Sequence, residues 1–392
     1  MWRNIASNFL TLMIVALVVG LGGLAWAQRE YSADGPLEAA ICLRVAPGSN
    51  MTRVAAQLEE QGAISNGMIY RLGAEYSDKS GQLKAGNFLI EEGTSMAEIV
   101  DMVTTSGPPT CGTEVIYRIS VANQSIQVRE LDPATQEFEV TGRFDPTAEE
   151  APESYANAVA DTSTRYRVVV AEGVTSWQIT EGLKAWDILE GEIASVPPEG
   201  SLAPEGYEVR AGEARADILA EMTELQASRL AEAWAARQDG LQVDTPEEAM
   251  ILASIIEKET QIPEERPLVA SVLQNRLERG WQLQFDPTII YGITRGIGTL
   301  DRPISNADIS GRTEARIHGS IEYNTYQIDG LPAGPIGNPG VAAIEAALSP
   351  SETDYMFFVA TGDGGHAFAE TLDEHNENVA RLRAREAEAR DN

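Results

Sequence analysis

The sequence predicts an α+β protein of several modules carried on one N-terminal transmembrane helix. Three observations carry that prediction. An apolar, uncharged run opens the chain; a strand, a glycine turn and an amphipathic helix recur four times; and the C-terminal third alternates helices with loops rich in Gly, Pro and Asn. With 392 residues there is room for two or three cores. A composition of 43% hydrophobic and 23% charged residues is that of a globular chain, not of low complexity.

The run "MWRNIASNFLTLMIVALVVGLGGLAWAQRE" is uncharged from Asn4 to Gln28, enough for a helix to cross about 30 Å of hydrocarbon. Residues 1–7 then form a cytoplasmic tail, 8–27 the span and 28–40 a linker. Ala25-Trp26-Ala27 would also suit a signal peptidase, but the apolar stretch is longer than the roughly 7 to 15 residues of a signal core, which favours a retained anchor. Either way the bulk of the chain lies outside the cytoplasm. The formal charge of −31, from 60 acidic and 29 basic residues, repels phosphate backbones and argues against nucleic acid as a partner. Cys42 and Cys111 follow the span without CxxC or Cys/His spacing, so they are a structural disulfide or two buried thiols, not a redox or zinc site.

The recurring pattern is "VAPGSNMTRVAAQLEEQGAI", "IEEGTSMAEIVDMV", "VAEGVTSWQITEGL" and "VRAGEARADILAEM". Gly48, Gly93, Gly173 and Gly212 supply the turns, and Ser49, Thr94 and Thr175 are available as helix caps. The copies pair as two βαα…β modules, residues 41–107 and 166–244, which resemble LysM-like glycan-binding modules; an α+β core with no ligand is the alternative. Between them, residues 108–165 read as a β-hairpin turning at Asp132-Pro133, followed by an acidic linker from Thr147 to about Thr164.

Residues 245–392 form the last domain. Thr245 caps a helix with Pro246 at its first turn and Glu247 and Glu248 at its positive end; it runs through "AMILASIIEKET", and a second helix, "ERPLVASVLQNRLERG", stops at Gly280. The terminal "HNENVARLRAREAEAR" is a solvated helix. Glu257 and Glu259 are two apart, rotated by about 200°, and cannot serve one site together. Glu259 falls on the face of Ile251, Leu252, Ile255 and Ile256, and Glu257 on that of Ala253 and Ser254. A carboxyl among aliphatic neighbours resists ionisation and can hold a proton at neutral pH, the property of a general acid. The competing reading is a solvated helix end. Gln284, Asp286, Thr288, Tyr323, Asn324, Tyr326 and Asn338 populate loops that mix rings with amides and hydroxyls, a surface suited to sugar, although each could simply shape a turn. His318, His366 and His375 have no metal-ligand spacing, and "GDGGHAF" reads as a glycine-rich turn. With no GxSxG, P-loop or dinucleotide fingerprint in context, no metal or cofactor is expected.

The ordered stretches "LASIIEKET", "ERPLVASVLQNRLERGWQLQFDPTIIYGI", "YNTYQIDGLPAGPIGNPG" and "FFVATGDGGHAFAETLDEHN" resemble the endolytic murein transglycosylase family. The chain departs from the family's usual small polar residue at Phe285, and the insert lies outside the common pattern. The resemblance implies a C-terminal mixed α+β catalytic domain with a lysozyme-like glutamate at a helix end. It also implies cleavage of the MurNAc-GlcNAc bond within peptidoglycan strands to leave 1,6-anhydroMurNAc ends, and work beside the synthases of the elongation machinery. A single-pass inner-membrane protein, N-terminus cytoplasmic and bulk periplasmic, follows from it. The family's catalytic Glu falls on Glu259, less favourably Glu257, because "Glu259-Thr260" is similar to the Glu-Ser that ends the core helix of the wider lysozyme-like group. A hydrolysing muramidase with Asp286 as second carboxylate, and a non-catalytic peptidoglycan-binding scaffold, are the alternatives.

Overall fold

A computed structural model describes residues 2–107 and 110–391, and the side chains of 9–107 and 110–388. The chain divides into two compact units: residues 1–115, 127–143 and 152–165, and residues 116–126, 144–151 and 166–392.

In the first unit, α1 (Trp2–Ser32) leads into β1 (Ile41–Val45), α2 (Met51–Glu60), α3 (Gly67–Tyr76), β2 (Gly86–Ile90) and α4 (Met96–Thr104). Phe9–Ser32 of α1 is the one helix among the described residues long and apolar enough to cross a membrane. Residues 28–32, expected in a linker, continue that helix. Of the expected tail, residues 2–7 are helical and Met1 lies outside the described residues. β1 and β2 pair antiparallel, Ile41 opposite Ile90 and Val45 opposite Gly86. α2, α3 and α4 close a core of Leu43, Val54, Leu58, Tyr70, Ile90, Ile99 and Val103, against which Ala27 and Tyr31 of α1 pack.

The turn glycines of all four repeats take φ between 71 and 82°, a conformation that costs a side-chain-bearing residue but not glycine. Two caps sit one residue later than expected. Asn50 accepts from the Arg53 N–H at 2.9 Å, and Ser95 forms a reciprocal box with Glu98, because the chain needs one more extended residue after the turn before helical φ/ψ begins. Thr175 caps as expected, boxed with Gln178.

The stretch expected as one hairpin contains three strands, β3 (Thr113–Ile119), β4 (Gln124–Asp132) and β5 (Glu137–Phe144). Asp132 does turn the chain between β4 and β5, its carboxylate accepting from the Ala134 N–H at 2.9 Å. The acidic linker carries a helix, α5 (Glu153–Ala160), because Tyr155 and Ala158 recur at helical spacing and are buried. β6 (Arg165–Val170) and β7 (Gly206–Val209) follow. In the first unit, buried Glu114 is held by Arg129, at 2.7 Å from Nε, and by Arg165 at 3.0 Å.

In the second unit β6 pairs antiparallel with β7, Tyr166 opposite Val209. Between them lies one helix, α6 (Ser176–Ala185), not two, since Pro197, Pro198, Gly200 and Pro204 forbid a second. Then come α7 (Arg215–Ala235), α8 (Pro246–Glu259), a 3₁₀ turn (Pro263–Glu265), α9 (Arg266–Glu278) and α10 (Asp286–Thr294). The chain ends with α11 (Asn306–Ile309), α12 (Arg312–His318), α13 (Val341–Leu348), the hairpin β8 (Phe357–Ala360) and β9 (His366–Ala369), and α14 (Leu372–Asp391). α8 is buried nearly all round, with Leu252, Ala253, Ile255 and Ile256 inaccessible, and packs with α9 and α13 around Val269, Leu273, Leu283, Ile344 and Ala347.

Cys42 and Cys111 are disulfide-bonded, closing a separation of 69 residues in the first unit. Loop-closure entropy makes such a bond worth about 4 kcal/mol. Replacing both by Ser should lower the unfolding midpoint in non-reducing buffer, and dithiothreitol should bring the wild type to the same value; an unchanged midpoint would contradict the entropic account.

Candidate active site

The carboxyl-terminal turn of α8 delivers two acids to different surroundings. Thr245 starts the helix, its hydroxyl accepting from the Glu248 N–H at 3.2 Å with Pro246 at the first position. Thr260 ends it in extended conformation, caught by its own hydroxyl, which donates to Glu265 Oε2 at 3.0 Å.

Glu257 is the more buried of the pair and is fully engaged. One oxygen accepts from Arg266 Nη2 at 3.0 Å, and the other from the Gly340 N–H at 3.0 Å. Arg266 reaches Glu172 at 3.1 Å with the same nitrogen. The face of Ala253 and Ser254, expected to be the less apolar, is also internal: Ser254 accepts from the Ile336 N–H at 3.0 Å. Helical phase therefore separates the acids without making either side wet.

Glu259 is half-buried, and among the described residues no hydrogen bond to its carboxyl is present. Burial pushes it up to about 7, Asp286 adds to that shift, and Arg276 opposes it. Burial pushes the Glu257 carboxyl up as well, but there the Gly340 amide and Arg266 oppose it. Glu259 lines a cleft of about 670 Å³ with Glu172, Lys258, Thr260, Arg266 and His366.

The seven residues expected to contact a ligand divide by environment. Gln284 and Asp286 are exposed at the start of α10, where Gln284 holds φ at 58° and Asp286 Oδ1 accepts from Tyr326 Oη at 2.7 Å. Asp286 and Tyr326 both act electrostatically with Glu259. Thr288, Asn324 and Asn338 are inaccessible, which removes them from direct ligand contact. Thr288 bonds the Phe285 carbonyl at 2.6 Å and the Thr325 hydroxyl at 2.8 Å. Asn324 donates to the Asp308 carbonyl at 2.8 Å. Asn338 donates to the Val174 carbonyl at 2.9 Å and accepts from the Leu202 N–H at 2.9 Å. A buried amide that satisfies several backbone groups fixes loops. Tyr323 belongs to another cluster, 4.9 Å from the Tyr291 ring with Arg295 over its face at 4.4 Å. Phe285 is buried against Phe358 at 5.8 Å.

Two groups escaped sequence reasoning. His366 is more than the partner of a glycine turn: Glu265 accepts from its backbone N–H at 2.8 Å and from Nδ1 at 2.7 Å. Those hydrogen bonds outweigh burial and hold the Glu265 carboxyl below the usual range. With Nδ1 engaged by Glu265, Nε2 is the ring nitrogen left to meet other groups. The two residues are 101 apart, so no local spacing could have paired them. Arg276, from the last turn of α9, donates to the Met356 carbonyl at 2.8 Å and to the Leu283 carbonyl, and its charge acts on Glu259. Its i, i+10 spacing from Arg266 carries no signal. Gly337 is required by close approach: a Cβ there would lie 2.7 Å from the Gly173 carbonyl oxygen.

Arg266→Met should cost about 3 to 5 kcal/mol by stranding the buried Glu257, while Arg266→Met with Glu257→Gln should recover most of the loss. Denaturant titration of the three proteins checks this; equal midpoints for the single variant and wild type would contradict the pairing.

The model of the YceG-like family matches residues 43–381. The chain is 24% identical over 339 residues to the endolytic murein transglycosylase of Bacillus subtilis (strain 168), covering 85% of this chain and 82% of that protein. It is also 24% identical over 386 residues to the endolytic murein transglycosylase of Streptococcus pneumoniae serotype 2 (strain D39 / NCTC 7466), covering 96% of this chain and 65% of that protein. A crystal structure of a YceG-like protein from Listeria monocytogenes aligns over 86% of this chain and 98% of its own, with 23% identity and a TM-score of 0.42. A family match spanning most of the chain, over the residues that build the α8 cleft, makes this protein a member of the YceG-like family.

Proposed function

We propose that the chain is an endolytic peptidoglycan lytic transglycosylase, anchored by α1, that cleaves the MurNAc-GlcNAc β-1,4 bond and leaves 1,6-anhydroMurNAc ends. Membership of the family and the names of its relatives support the substrate class. The observation that carries the chemistry is Glu259: a cleft-lining carboxyl, free of hydrogen bonds to described residues, held near pKa 7. At neutral pH about half of such groups carry the proton that a glycosidic oxygen needs on departure.

Glu259 protonates the bridging oxygen as the C1–O bond breaks, and positive charge develops at C1 of MurNAc. The sugar's 6-hydroxyl oxygen then bonds to C1, and its proton returns to Glu259. Acid and base are one residue used twice, so the reaction balances without water, metal or cofactor. Glu257, consumed by Arg266 and Gly340, is a positioning residue for α8 in this reading. Gln284, Asp286 and Tyr326 face the glycan; His366 presents its ring to a sugar hydroxyl in the cleft that Glu259 lines. The two modules built from the four strand–glycine–helix copies serve as LysM-like glycan-binding modules. The membrane is a bacterial inner membrane with the bulk of the chain periplasmic, and the synthases that extend the strands are the partners, which would let the enzyme end strands as they form. A second reading, hydrolysis with Asp286 as base for water, draws on the charge that Asp286 imposes on Glu259.

Glu259→Gln should lose at least about 10³-fold in turnover on purified sacculi, in the range of an essential acid-base group, while Glu257→Gln keeps its products and loses stability. Mass spectrometry should find anhydro ends; reducing ends alone would establish the hydrolase. The acid form acts first, so kcat/KM should fall as pH rises through about 7. Asp286→Asn removes the anion that raises Glu259 and should move that limb to lower pH with anhydro products retained; abolished turnover would favour the hydrolytic reading.

A further inference from the structure

The helix α3 carries apolar side chains that the first unit does not use. Met68, Leu72 and Tyr76 are 62%, 57% and 96% exposed. They stand at i, i+4 and i+8, so they form one stripe about 12 Å long at 1.5 Å per residue. Stepping about 100° per residue from Met68, the stripe spans roughly 0 to 80°. The core face, with Ile69, Tyr70, Gly73 and Ala74, spans roughly 100 to 240°, and Arg71 lies near 300°. Isolated exposed apolar residues need no explanation, but a contiguous stripe does.

What lies beside the stripe names its occupant. Gly73, on the core edge next to it, receives the ring of Tyr31 from α1, so closely that a Cβ would sit 2.2 Å from that ring. Glu30 of α1 accepts from Ser65 Oγ, just before α3, at 2.5 Å. Ala27 and Tyr31, one helical turn apart, both pack on the core of this unit. The helix long and apolar enough to cross a membrane thus docks on α3 within a turn or two of its own end, with no free linker between. Trp26, 59% exposed in that last part of α1, and Tyr76 are of the type that gathers at the membrane-water boundary.

We infer that the Met68-Leu72-Tyr76 face of α3 rests in the lipid surface, at the boundary between headgroups and acyl chains, and fixes the first unit against the bilayer. The inference rests on reading α1 as a membrane anchor. The surroundings are acidic, with Glu30, Glu59, Glu60 and Glu75 at hand, so attachment comes from apolar burial and not from attraction to anionic lipid. A glycan-cleaving chain held this way has its first module at a constant height above the membrane.

The test uses the full chain in phosphatidylcholine nanodiscs. Both native cysteines are paired, so Leu17→Cys, Arg71→Cys, Leu72→Cys and Tyr76→Cys each offer one thiol for a nitroxide. Power-saturation measurements compare relaxation by oxygen, which concentrates in lipid, with that by a water-soluble nickel chelate. Labels at 72 and 76 should favour oxygen as the label at 17 does, and the label at 71 should favour nickel; added salt should leave the pattern unchanged. Labels at 72 and 76 as open to nickel as that at 71, with 17 still in lipid, would overturn the docked face and leave the anchor standing. A label at 17 that reads as water would overturn both.

Discussion

The chemistry proposed for this chain depends on one electrostatic constraint, a carboxylic acid kept half-buried with no hydrogen bond from any described residue, at the end of a helix that is itself interior. Ionising such a group costs about 1.4 kcal/mol for each pKa unit by which it is raised. The protein bears that cost at Glu259, and the packing that enforces it is extensive. α8 is enclosed by α9 and α13, Thr260 and Glu265 lock its exit, and Arg276 opposes the shift while Asp286 deepens it. Two residues earlier the same helix carries an acid treated in the opposite way. Glu257 is given a guanidinium and a backbone amide, and so becomes structure.

The constraint explains why the loops are built as they are. Asn338, Asn324 and Thr288 have no access to solvent, and each closes a backbone gap that would otherwise leave polar groups unpaired. They keep the loop before α13 and the start of α10 in place, and those segments in turn present Gly340 to Glu257 and Asp286 to Glu259. The hairpin of β8 and β9 contributes His366 through Glu265, which also receives the Thr260 hydroxyl. The exit of α8 and the far rim of the cleft therefore share one carboxylate.

Much of this was legible in the residues. The helix starting at Thr245 and Pro246, the stop at Gly280, the paired ends of the first repeat and the phase difference between Glu257 and Glu259 all follow from local rules of capping, turn conformation and helical periodicity. What was not legible required contacts distant in sequence. An Asn in a glycine-rich loop reads equally as a sugar contact or as a brace, and only burial decides between them at 324 and 338. The Glu265 and His366 pair, and the ion pair that occupies Glu257, join segments about a hundred residues apart or cross between helices. The acidic linker concealed α5 because its composition is that of a solvated coil, while two buried side chains, Tyr155 and Ala158, suffice to order it.

The most direct test of the account is the titration of Glu259 itself. Carboxyl ¹³C NMR of selectively labelled protein, assigned by difference from Glu259→Gln, should show the Glu259 resonance titrating near 7. That midpoint should move down when Asp286 is replaced by Asn. A Glu259 resonance that titrates near the ordinary carboxylate value of about 4.3 would mean that the helix end is solvated, and would remove the acid on which the mechanism rests.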